Sequence, residues 1–161
     1  MNNEKDNVYD LVEDFYAHDE GWNTLLRQEY AEGFLRMEAW KGKKNSDLYR
    51  SWDNLTMLCL YLGSAETFLG DMNADDFIDC IAWCGRNISE FTPDYKNTQD
   101  FLETCDGLFK YLKGKNAISN DTVPATAAEI LLQEGKMNII LPDGSFDEAN
   151  AERAWNATPD I

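Results

Sequence analysis

Residues 46–63 set the condition that the rest of the chain must meet. Leu48, Trp52, Leu55, Cys59 and Leu62 recur at spacings of four, three, four and three, which is one apolar stripe along an α-helix. Met57, Leu58, Leu60 and Tyr61 make the second half of this stretch apolar on nearly every side, so other elements must cover it all round. Ser46 suits an N-cap, Asp47 the positive first turn and Gly63 a stop. Asp53 and Asn54 interrupt the stretch, and a membrane span needs about 20 apolar residues, so a buried helix is expected rather than a span.

The remaining elements are read from the same helical period. Val8, Leu11, Val12 and Phe15 mark a first helix that breaks near residues 18–21. A second runs from about residue 23 to Trp40 with Leu26, Tyr30, Phe34 and Met37 on one face, and Gly33 opens that face to close approach by a neighbour. After Gly63, a loop over residues 64–71 keeps Phe68 and Leu69 as apolar anchors. Asn73 then caps a helix with Phe77, Ile81 and Cys84 inward, and Gly85 stops it. Another helix starts near Thr98 and carries Phe101, Cys105, Leu108 and Leu112. Pro124 sits in a loop before a short helix through Leu132. Met137 to Leu141 is the one strand-like run, Pro142-Asp143-Gly144 is a turn signal, and Asp147 begins a last helix with Ala151 and Trp155.

The expected fold is all-α: a compact orthogonal bundle of six or seven helices, with at most a short β-hairpin near residues 137–146. One domain is expected over residues 1–161, with N-terminal helices in 1–45, a helical core in 46–120 and a C-terminal extension in 121–161. A chain of 161 residues that is 43% hydrophobic has ample material for one core.

Charge narrows the function classes. There are 14 basic against 30 acidic residues, a net of -16. Residues 69–106 hold nine acids and two bases, whereas residues 27–50 hold six bases and four acids. Gripping a phosphate backbone takes clustered Lys and Arg, so direct nucleic-acid binding is not expected. The start, residues 1–14, is polar and acidic rather than a secretory signal, and the reading is a cytoplasmic protein of bacterial type. Cys59, Cys80, Cys84 and Cys105 fall at apolar helical positions and read as reduced, buried thiols.

Three motifs in residues 48–120 carry a family resemblance. They are Leu55-x-x-Leu58-x-Leu60-Tyr61-Leu62, the run Leu69-Gly70-Asp71-Met72-Asn73-Ala74-Asp75-Asp76-Phe77-Ile78, and Leu108-Phe109-Lys110-Tyr111-Leu112 followed by Gly114 and Ile118. In these the span resembles the SAM-like core-binding domain of tyrosine recombinases. The resemblance implies a helical fold and not recombination. Such a domain holds DNA with basic faces, whereas this span is acidic, and a catalytic Arg, His and Tyr set has no room in a chain with one His.

Several constellations bear on chemistry. His18-Asp19 matches a phosphohydrolase dipeptide, but one His cannot supply that site's ligands. Asp71-x-Asn73-x-Asp75 copies the start of a calcium loop, yet Asp76 stands where Gly must turn the chain and Ala82 where a bidentate Glu must close it. Glu29 with Glu32, and Asp76 with Asp79, each place two carboxylates on one helix face, the pattern with which helical nucleotide pyrophosphatases hold magnesium. Cys80 and Cys84 lie one turn apart inside an apolar helix, where core packing explains them better than zinc. No nucleophile has a base other than His18.

Trp40, Lys41, Lys43, Lys44 and Arg50 form the one cationic, aromatic patch. The leading expectation is a non-catalytic protein–protein interaction module without cofactor, with surplus aromatics such as Trp22, Trp40, Trp83 and Trp155 at a partner or homodimer interface. An acidic DNA mimic, or regulator of a DNA-binding protein, comes second. A magnesium-dependent pyrophosphatase using Glu29, Glu32, Asp76 and Asp79 comes third.

Overall fold

The computed structural model describes residues 7–18, 26–88, 90–91 and 94–133. In chain order its helices are α1 (Val8–His18), α2 (Gln28–Trp40), α3 (Asn45–Ala65), α4 (Ala74–Asn87), α5 (Tyr95–Gly114) and α6 (Val123–Gln133), with a 3-10 turn at Leu69–Asp71 before α4. The fold is all-α, with no strand among the described residues. The expected hairpin and last helix, and Trp22 and Trp155, lie outside those residues.

The apolar stripe becomes α3, and α1, α2, α4 and α5 all pack on it. Leu55, Leu58, Cys59 and Leu62 are wholly buried. Both expected ends move outward. The N-cap is Lys44, with no side-chain cap bond, so Ser46 falls inside the first turn. The helix also runs past Gly63 to Ala65 and stops at Glu66, which takes the left-handed region at φ 54°. The N–H groups of Glu66 and Thr67 both donate to the Leu62 carbonyl, closing the end. A mid-helix Gly costs only about 1 kcal/mol and does not by itself end a helix. Half-buried Ser64 and Ala65 therefore continue α3, and the left-handed Glu66 ends it.

Gly85 does not stop its helix either: α4 continues through exposed Arg86 and Asn87, and Ile88 N–H donates to Cys84 O at 2.8 Å. The start of α4 does follow local chemistry. Asp76 N–H donates to the Asn73 side chain and Asn73 N–H to the Asp76 carboxylate, each at 2.9 Å, a reciprocal capping box. At α5 the cap is Asp94, which accepts from Asn97 N–H at 2.9 Å, so the helix starts three residues before Thr98. Its stripe of Phe101, Cys105, Leu108 and Leu112 is buried as expected.

Other positions differ from expectation. α2 begins at Gln28, so Leu26 is buried just before the helix rather than on its face, and the Tyr16 hydroxyl donates to its carbonyl. Phe68 is 59% exposed, and Leu69 alone anchors that loop. Pro124 lies in the first turn of α6, where its missing N–H costs no helical bond. Gly33 meets its expectation: a Cβ there would fall 1.9 Å from the Tyr111 hydroxyl oxygen, so the missing side chain lets α5 approach α2.

Candidate functional site

The cationic patch divides in two. Trp40 ends α2 with 91% of its surface exposed, and Lys41, Lys43 and Lys44 follow it in an exposed turn. Gly42 at φ 93° lets the backbone make that turn. Lys41 and Lys43 stand 3.9 and 3.8 Å from the Glu38 carboxylate, which holds the turn's charge against the end of α2. Arg50 reaches instead across to α5, 3.5 Å from Asp100. Trp83 leaves the list of surface aromatics altogether: it is buried and meets Tyr61 edge-on at 5.8 Å.

Arg50 lines a cavity of about 410 Å³ between α3, the residues after α4, and α5. Asn54, buried at its edge, donates to Thr104 Oγ1 at 2.9 Å and to Asp100 O at 3.4 Å, tying α3 to α5. Asp53 faces the same cavity, and partial desolvation holds its carboxyl above the usual carboxylate range.

The paired carboxylates are occupied locally. Glu29 pairs with Arg27, and Glu32 accepts from Gln28 at 2.7 Å and lies 3.9 Å from Arg36. Asp76 belongs to the α4 capping box, and Asp79 is half-buried on the same helix near Tyr61. The structure does not assemble the two pairs into one site. Among the described residues, no three His, Cys, Asp or Glu side chains come together in a way that holds a metal ion.

All four cysteines are buried and unpaired, brought from α3, α4 and α5 into one core. Burial pushes the Cys59 thiol up to about 12 and raises Cys80 and Cys105 well above their ordinary value. A nucleophilic thiol needs the opposite shift, so these side chains serve as small apolar packing groups.

A groove that sequence reasoning missed lies between α5 and α6, with a volume of about 460 Å³. Its apolar surface comes from Tyr95 and Leu102 of α5 and from Pro124, Ala128 and Leu132 of α6. Leu132 is 52% exposed and Tyr95 44%. Three carboxylates line it as well: Glu103, Asp106 and Glu129. Asp106 accepts from Lys110 Nζ at 2.6 Å through Oδ2, while its Oδ1 is buried and accepts no hydrogen bond. That bond raises the Lys110 ammonium above its usual range. A buried acceptor left unpaired costs about 1–3 kcal/mol. The groove itself offers apolar surface and negative charge together.

The chain matches no protein-family model, no curated protein and no solved structure in the three comparisons. No helix among the described residues is long and apolar enough to cross a membrane.

Proposed function

We propose that this chain is a non-catalytic protein–protein interaction module, acting in the cytoplasm, that docks a cationic, apolar segment in the α5–α6 groove. The observation that carries this reading is the placement of exposed Leu132 and Tyr95 beside three carboxylates. Apolar burial supplies the favourable free energy that must exceed the ordering cost of docking, and the charges select the sign of the partner. Fluorescence anisotropy with three synthetic helical peptides tests it: Lys-rich amphipathic, Glu-rich with the same apolar pattern, and scrambled. The Lys-rich peptide should bind best, Leu132→Asp should abolish binding, and Glu103→Lys with Glu129→Lys should reverse the preference. Equal binding of all three peptides would remove the groove from consideration.

The net charge of -16 and the recombinase-like residue pattern favour a second reading, an acidic regulator that imitates DNA toward a basic nucleic-acid-binding protein. That reading predicts salt-sensitive binding spread over the acidic surface and indifferent to Leu132→Asp, which separates it from the groove.

A further inference from the structure

We infer that the segment the groove accepts belongs to a second copy of this chain: the α2–α3 turn of one molecule, led by Trp40, docks in the α5–α6 groove of the next. This rests on the groove being a docking surface, as proposed above. Trp40 is 91% exposed, an unusual position for the side chain most enriched among residues that dominate interfaces. Its indole N–H is a donor only and needs an acceptor once buried, and the Glu103 and Glu129 carboxylates that line the groove are acceptors. A volume of about 460 Å³ is ample for an indole ring.

Charge agrees with this match. Lys41, Lys43 and Lys44 follow the Trp in a span, residues 27–50, where bases outnumber acids, and Glu103 and Glu129 border the groove. The net charge of -16 opposes association at long range, but that repulsion is screened beyond about 8 Å at physiological ionic strength, so the contact charges decide. The turn is also held in advance by Gly42 and by the Glu38 pairs, which lowers the ordering cost of docking. Knob and groove lie on different elements of each molecule, so the contact is either reciprocal in a two-fold dimer, filling both grooves, or head-to-tail, leaving one free turn and one free groove per open assembly.

Sedimentation velocity of the full chain, from low to high micromolar concentration at physiological salt, tests the inference. The wild-type chain should sediment faster as concentration rises, and Trp40→Ala should move the midpoint up by about thirtyfold. Lys43→Glu with Lys44→Glu, and separately Glu103→Lys with Glu129→Lys, should each sediment as monomers. An equimolar mixture of those two variants should associate again, because reversed turn meets reversed groove and native turn meets native groove. Circular dichroism of each variant confirms that it is folded. A wild-type monomer at every concentration, with the Trp40→Ala chain still binding the Lys-rich peptide, overturns the inference and assigns the groove to a foreign partner. If that peptide fails to bind too, the groove reading falls with it. Association untouched by Trp40→Ala, or groove cross-links confined to residues 134–161 of the same molecule, equally overturns the inference.

Discussion

Burial of Cys59 at the centre of α3 makes its thiol a reporter of the fold. An acid whose folded value is raised contributes stability that is complete below the unfolded value, here 9.0, and lost as pH climbs through the folded value of about 12. Cys80, Cys105, Tyr16 and Tyr61 are raised in the same direction, each chiefly by burial. Urea unfolding should therefore be nearly flat in pH up to about 9 as far as these groups matter. Above that it should steepen downward by up to roughly 1.4 kcal/mol per pH unit for each such group. Cys59→Ala should flatten part of that fall while lowering stability at neutral pH. A thiol reagent at pH 8 should label the chain only after denaturation, and rapid labelling of the native protein would contradict this account. The inward placement of these cysteines was legible from their helical period. The fates of Trp40 and Trp83 were not: both end or occupy helices, and what buries Trp83 is Tyr61, more than twenty positions away.

At the level of the element, caps and packing compete, and the start of α4 is where the cap prevails. Asn73→Ala removes one half of the capping box and should destabilise the protein by about 1 kcal/mol, whereas Asn73→Asp keeps the acceptor and should change little. Urea midpoints at constant slope measure both, and an unchanged midpoint in Asn73→Ala would show that tertiary contacts alone hold the helix end. Added calcium should not move either midpoint, because Asn73, the middle residue of the calcium-loop-like run, already serves the backbone in the capping box, and Asp76 stands where the loop needs Gly. The apolar stripes of α3 and α5 and the cap of α4 were readable because each is set by residues within a few positions. Gly63 and Gly85 misled because a glycine weakens a helix interior by only about 1 kcal/mol and does not by itself end one. The groove did leave one trace. Ile130, Leu131 and Leu132 are consecutive, and on a helix of 3.6 residues per turn three neighbours cannot all face one core. Leu131 is buried and Leu132 is left outward.

For the whole molecule, the excess of 30 acids over 14 bases sets a contest between self-repulsion and surface ion pairs. The pairs on α2, such as Arg27 with Glu29 and Arg36 with Glu32, are largely exposed, and contacts of that kind contribute about 0–1 kcal/mol each. A net charge of -16 acts across the whole molecule at once, so repulsion should win. Raising sodium chloride from about 0.01 M to about 0.1 M shortens the screening length from roughly 30 Å to roughly 10 Å, which relieves repulsion across the molecule. The thermal midpoint should rise by several degrees over that range, the size expected for about 1 kcal/mol in a domain of this length. A midpoint that falls with salt would mean that the ion pairs hold the fold after all. Docking in the α5–α6 groove should respond with the opposite sign, since a Lys-rich segment meeting Glu103 and Glu129 is attracted through the same solvent. Opposite salt slopes for folding and for peptide binding would show the acidic excess opposing stability while it serves recognition. Parallel slopes would mean that the groove is not where the charge acts.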